Sequence, residues 1–194
     1  PVITLNKGGP TAGSTLYPIL LTGTEDNVMI FGTVHWGGTS GVTTGTPSGQ
    51  DTVYLRLNNN DTTGLYLDIN HYVLTSGTSG QIARSSAAWF STLPGVPVAT
   101  WQTHRSSNVS TNTVDFFVAT LPNLRSKTWV AGSVSFSEHE GYAASYFDGP
   151  MRAAHYTNFW YKSTETIKTL DLVLDNANVG LTLGGQSYFT AYGF

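Results

Sequence analysis

The residues with the widest chemical repertoire in this sequence are its five histidines, His35, His71, His104, His139 and His155. None stands at the HxH, HxxxH or HExxH spacing that aims two imidazoles at one metal ion. The nearest approach to a ligand triplet is Glu138-His139-Glu140. On a strand, Glu138 and Glu140 share one face and His139 points to the other. Three ligands do not converge there, and the triplet reads as an exposed polar turn before Gly141. The sequence therefore offers no metal site and no cofactor. Glycoside hydrolysis needs two carboxyl groups about 5–9 Å apart across a cleft. Glu25, Glu138, Glu140 and Glu165 fall in or beside turn-like segments, and Asp68, Asp115 and Asp171 fall on strand-like ones. Asp68 and Asp171 read as solvent-facing. No catalytic pair is composed from this set. No Gly-x-Ser-x-Gly elbow and no Gly-x-x-x-x-Gly-Lys loop is present, and with no cysteine a thiol nucleophile or thiolate zinc site is excluded. The expectation is a protein that is not an enzyme.

Binding chemistry is better represented. Trp101-Gln102-Thr103-His104-Arg105 runs from a strand into a Ser/Asn loop. Met151-Arg152-Ala153-Ala154-His155-Tyr156 follows an Asp-Gly-Pro turn and continues to Phe159-Trp160-Tyr161. An indole stacks on the apolar face of a sugar, and a guanidinium pairs with a carboxylate such as that of sialic acid. Trp101, His104, Arg105, Arg152, His155 and Tyr156 are therefore candidate receptor contacts. The same aromatics also suit a sandwich core or a subunit interface. Asn60-Asp61-Thr62 and Asn108-Val109-Ser110 match the N-glycosylation acceptor, as chance allows in a chain with 12 Asn and 28 Thr.

Strands must carry these residues. Asn27–Trp36 and the segments with apolar residues at Val53/Leu55/Leu57, Leu65/Leu67/Ile69, Val130/Val134/Phe136 and Leu170/Leu172/Leu174 alternate with period two. Weaker strands are expected over Leu16–Leu21, Val96–Thr103, Thr113–Thr120, Tyr156–Lys162 and Ser187–Tyr192. Asn58-Asn59-Asn60-Asp61, Asp148-Gly149-Pro150, Asp175-Asn176-Ala177-Asn178 and Gly184-Gly185 supply turns. Gly37–Gly49 reads as a long surface loop. Helix is expected only in short pieces, within Gly80–Leu93 and Glu138–Ser145. About ten strands in one domain imply an all-β, antiparallel two-sheet sandwich. The chain has 194 residues, enough to bury a core without disulfides. Its net charge of −3 gives no basic footprint for nucleic acid. No apolar run approaches the ~18 residues of a membrane span. The start at Pro1 is expected to mark a piece of a longer protein.

The order of segments resembles an adenovirus-type fibre head. Leu16–Leu21, a short turn, Val28–Trp36 and a long Gly/Thr loop come first. Thr52-Val53-Tyr54-Leu55-Arg56-Leu57-Asn58-Asn59-Asn60 and Gly64-Leu65-Tyr66-Leu67 follow. Leu121-Pro122-Asn123-Leu124 precedes the strand Trp129–Phe136, and Gln186–Phe194 is similar to the family's aromatic C-terminal strand. Pro1-Val2-Ile3-Thr4-Leu5-Asn6 stands where the hinge of mammalian viruses has Thr-Leu-Trp-Thr-Thr. The resemblance implies a shaft end or linker over residues 1–15 and a head over 16–194, with a fibre-head or jelly-roll-like fold. It implies a homotrimer at a virion surface that binds a host cell-surface receptor, protein or sialylated glycan. A protruding capsid spike of another non-enveloped virus fits the same pattern. The family's receptor loop falls on Thr22–Asn27, which adds Glu25 and Asp26 to the candidate contacts. Apolar residues on both faces of Asn27–Trp36 and Ser187–Phe194 would be explained by a neighbouring subunit. The rival readings are a carbohydrate-binding module of a bacterial or phage protein and a jelly-roll glycosidase.

Overall fold

The computed structural model describes residues 2–11, 14–37, 50–75, 82–85, 94–103, 114–125, 130–141, 151–175 and 182–194. They form thirteen strands: β1 (Ile3–Gly8), β2 (Leu16–Leu20), β3 (Val28–Gly37), β4 (Gln50–Leu57), β5 (Tyr66–Thr75), β6 (Ile82–Ser85), β7 (Val96–Thr103), β8 (Val114–Leu121), β9 (Val130–Gly141), β10 (Met151–Tyr161), β11 (Thr169–Asp175), β12 (Thr182–Leu183) and β13 (Tyr188–Gly193). No helix occurs among the described residues.

Two antiparallel sheets pack together as the sandwich that the alternation predicts. The larger runs β1-β13-β3-β8-β9-β10-β5-β6, and the smaller runs β2-β11-β4-β7. β9 joins them. Its first half, through Phe136, pairs with β8, and Glu138–Gly141 pairs in parallel with Thr100–Thr103 of β7. At the opposite side β1 and β2 follow each other in sequence, and the Tyr17 hydroxyl of β2 donates to Asn6 of β1 at 2.9 Å. Pro18, which has no N–H to donate, sits on the edge strand β2, where that loss costs least.

The strand-period residues build the core. Val28, Ile30, Val34, Phe117, Ala119, Val134, Phe136 and Phe159 of the large sheet meet Ile19, Val53, Leu55, Leu57, Val98, Leu170 and Leu172 of the small one, all buried. Glycine interrupts the apolar row at two inward positions for a steric reason. A Cβ on Gly132 would lie 2.6 Å from the Phe159 ring, and one on Gly32 would lie 2.6 Å from the Phe189 ring. The rings lie across the sheet where the side chains are missing.

Several expectations change. Among the described residues neither short helix is found. Residues 82–85 of the first are strand β6, and Glu138–Gly141 of the second continue β9, because β7 and β10 flank that segment and take its backbone groups. The rest of both segments lies outside the described residues, as do positions 38–49 of the Gly/Thr loop. Residues 3–8, within the segment 1–15, form β1, hydrogen-bonded to β13 from Ile3↔Gly193 to Gly8↔Phe189, which leaves the expected shaft end or linker as it stood. The polar turn expected at Glu138–Glu140 is strand for the same reason as the helix. Asp171 is not a solubilising surface group. It is buried, and its Oδ2 accepts from the Asn59 amide at 2.8 Å and the Thr169 hydroxyl at 2.6 Å.

That carboxylate secures the tight turn after β4. Asn58 and Asn59 have φ of 54° and 51°, and the Asn60 amide returns to the Leu57 carbonyl at 3.1 Å. Two consecutive left-handed residues with this bond are a mirror-image turn, which asparagine tolerates. The Asn58 side chain also accepts from the Lys168 and Thr169 amides and donates to the Thr166 carbonyl. The β4 turn and the start of β11 are thus one hydrogen-bonded unit.

Candidate functional site

On β13, β3, β8, β9 and β10 the residues alternate between core and outward face. Phe189, Ile30, Phe117, Val134 and Phe159 are buried, and their neighbours Tyr188, Phe31, Phe116, Ser135 and Trp160 point the other way. The ladders fix how the outward residues line up. Thr190, Phe31, Val118, Ser135 and Tyr156 form one row across the five strands. Tyr192, Met29, Thr120, Ser133 and Asn158 form the next. Tyr188, Thr33 and Phe116 form a third on one side, and Ala131 and Trp160 a fourth on the other.

No Asp, Glu, Lys or Arg occurs at these outward positions. Large apolar groups do. Phe116 is 63% exposed, and Phe31, Val118, Tyr156, Trp160 and Tyr188 are each roughly four-tenths exposed. Isolated exposed apolar side chains are ordinary, whereas several exposed aromatic and apolar groups on one face have the character of an interaction surface.

The face has two parts. Over β13, β3 and the start of β8 it is an aromatic plate, with Phe31 and Tyr192 ring centroids 5.8 Å apart and Phe116 and Tyr188 along the same side. Over β8, β9 and β10 it sinks into a trough of about 230 Å³ lined by Val118, Thr120, Ser133, Ser135, Tyr156 and Asn158. The cause is side-chain size. Between residues 131 and 135 β9 presents Ala131, Ser133 and Ser135, while β8 and β10 present taller groups on either side. The Thr120 and Ser133 hydroxyls bond to each other across the floor at 2.6 Å.

The candidate residues from the sequence are scattered by the fold. Tyr156 is in the trough wall. His155, one position earlier on β10, faces the core, where its ring stacks on Phe136 with centroids 4.4 Å apart and planes 3° from parallel. Glu25 is buried, and its carboxylate accepts from the Thr22 amide and hydroxyl and the Gly23 amide. Burial by itself raises that carboxyl group, but these hydrogen bonds outweigh it and hold it below its ordinary value. Glu25 also lies over Gly193, where a Cβ would come within 2.3 Å of its Cγ. The Thr22–Asn27 turn is further pinned to the chain end by reciprocal Asn27–Phe194 backbone bonds. Asp26 points outward and faces Arg125 at 3.9 Å. Trp101 lies on β7 between Asp51 and His139 in the ladders, and Arg152 falls at a bulge of β10. His104 and Arg105 lie outside the described residues.

Among the described residues, no group of three His, Asp or Glu is placed to hold a metal ion. Glu165 accepts from the Tyr161 hydroxyl, whose ring packs on Tyr66 at 5.0 Å. Burial pushes both phenols well above their ordinary range. The Tyr66 hydroxyl donates to the Asn60 carbonyl and accepts from the Leu57 amide. Through the Tyr66 hydroxyl this cluster braces the β4 turn.

Phe31, Phe116, Val118, Ser133, Ser135 and Asn158 were not singled out from the sequence. The signal for the first two was the double-sided apolar character of their strands. The serines carried none, because a floor is defined by its taller neighbours. No protein-family model matches the chain, and no curated protein matches it.

Proposed function

We propose that this chain is an attachment domain, a fibre head or capsid spike at a virion surface, that binds a host cell-surface receptor as a homotrimer. The receptor class is a protein or a glycan. The observation that carries the reading is the aromatic outward face of β13, β3, β8, β9 and β10, whose paired outward positions carry no Asp, Glu, Lys or Arg. Strand pairing and core packing already satisfy the inner face, so the fold does not need these exposed rings. Removing them from water on a partner is worth roughly 25 cal/mol per Å² of apolar surface. The aromatic plate suits a neighbouring copy of the chain, since an apolar contact needs no charge matching and gains from buried area; in a trimer it would meet a different surface of that copy, head to tail around the ring. Two of the buried carboxylates, Glu25 and Asp171, secure turns, which fits a scaffold for binding.

The trough favours a second reading, a carbohydrate-binding module of a bacterial or phage protein. A tall aromatic beside hydroxyl and amide groups is the pairing that holds a sugar by ring stacking and hydrogen bonds.

Fluorescently labelled protein applied to host-cell panels tests the proposal. Saturable attachment that falls after sialidase or protease treatment, and falls again for Phe116→Asp, is expected. Absence of saturable attachment, together with depletion of the protein by insoluble polysaccharide, overturns it in favour of the module.

A further inference from the structure

We infer that the trough between β8 and β10 is a binding site for a neutral glycan, laid along β9. The inference rests on reading the chain as an attachment domain, and it names the ligand class of one part of that surface.

Three observations carry it. The first is shape. The floor residues Ser133 and Ser135 are small, and the flanking strands stand two strand spacings apart, about 9.6 Å. The volume of about 230 Å³ is below that of a pocket enclosing a drug-sized ligand, ~300–1,000 Å³. An extended chain therefore lies in the trough with one face covered and its ends outside. A rounded ligand would not be enclosed.

The second is chemistry. Tyr156 offers a half-exposed ring, and Asn158, two residues on, offers an amide able to donate and accept on the same face. Thr120 and Ser133 hold two hydroxyl protons between them, and their mutual 2.6 Å bond uses one. One proton and several lone pairs remain for a ligand. A polyol presents an apolar ring face and hydroxyls at its rim, which matches a ring wall beside a hydroxyl floor.

The third is charge. None of the lining residues is ionised, as all are Val, Ser, Thr, Tyr or Asn. A sialic acid carboxylate taken out of water requires a cationic or multiply donating partner. A neutral sugar requires none. The trough thus differs from the Trp/Arg site that the sequence pointed to.

The test is titration of the full chain with three neutral probes, followed by tryptophan fluorescence and ligand-observed NMR. The probes are fetuin N-glycans after sialidase treatment, cellohexaose and maltohexaose, with untreated fetuin N-glycans as the charged comparison. At least one neutral probe is expected to bind, with affinity that changes little between about 50 mM and 500 mM salt, since no charge is screened. Tyr156→Ala and the floor-filling Ser135→Trp are each expected to weaken it by about tenfold or more. Both positions are on the outward face, so the unfolding temperature is the check that the fold is kept. Binding of the sialylated form alone overturns the inference. Neutral binding unaffected by Ser135→Trp, or no neutral binding at millimolar probe, does so too. The broader reading fails differently. Cell attachment retained by Ser135→Trp removes the trough and leaves the attachment domain. Neutral-glycan binding in the trough without any cell attachment removes the attachment domain and leaves the trough.

Discussion

Over β13, β3, β8, β9 and β10 the two faces of the large sheet obey different rules. The inner face is set by packing, with Phe117, Phe136, Phe159 and Phe189 buried and Gly32 and Gly132 placed where rings cross. The outer face is no less aromatic, yet nothing in the described fold buries Phe116 or Tyr156. Adjacent residues such as Phe159 and Trp160, or His155 and Tyr156, therefore belong to separate problems. One member of each pair is buried in the sandwich, and the other lies on the outward face. Residue type does not separate the two, but alternation and register do.

Substitutions at neighbouring positions test that separation, beginning with the largest effect. Phe159→Ala removes a fully buried ring and is expected to cost about 3–5 kcal/mol in chemical denaturation. Tyr156→Ala, three positions earlier and outward, is expected to cost less than about 1 kcal/mol while lowering cell attachment. Equal losses of stability would erase the distinction between the faces.

Gly132→Ala sharpens the account of the inner face. Its Cβ would meet the Phe159 ring at 2.6 Å and the Thr120 carbonyl oxygen at 3.0 Å. A loss of about 1–3 kcal/mol is expected from overpacking, and pairing it with a smaller residue at position 159 is expected to recover part of that loss. Asp171→Ala is expected to cost about 1–3 kcal/mol, because the Asn59 amide and Thr169 hydroxyl lose their acceptor.

Glu25 gives a pH dependence. Its folded-state value lies below the ordinary 4.5, so its contribution is complete above that value. The contribution fades as pH falls through the depressed folded value, where the carboxylate loses the Thr22 and Gly23 bonds. Denaturation midpoints across acid pH are expected to fall less for Glu25→Gln than for the unmodified chain. An identical slope would show that the turn does not depend on the charge. Asp26→Ala marks the small end of the scale. Its pair with Arg125 is about 60% exposed on both sides and 3.9 Å long, so the expected change is within about 0.5 kcal/mol.

Most of the scaffold was legible because its signals are local. Val53/Leu55/Leu57 and Leu170/Leu172/Leu174 alternate cleanly, and Val96–Thr103 is bounded by turn chemistry. Asn58-Asn59-Asn60 announced a turn that the positive φ angles fulfil. What escaped depends on neighbours distant in sequence. β6 looked helical in Ile82–Ser85 until β5 paired with it. Asp171 looked like a surface acid because its partner, the Asn59 amide, is 112 residues away. The trough was invisible for the same reason. Ser133 and Ser135 are ordinary strand serines until β8 and β10 rise on either side of them. Of the candidate contacts, Tyr156 was placed on the outward face by the fold, and His155 in the core.

Light scattering on the purified chain tests the central claim most directly, that the outward face exists to be covered. A mass of three chains, each 20.9 kDa, is predicted, falling to one chain in Phe31→Asp, which puts a charge in the middle of the aromatic plate. A single-chain mass for the unmodified protein would contradict the trimeric attachment domain. So would a trimer that Phe31→Asp leaves intact, because copies would then meet through some other surface.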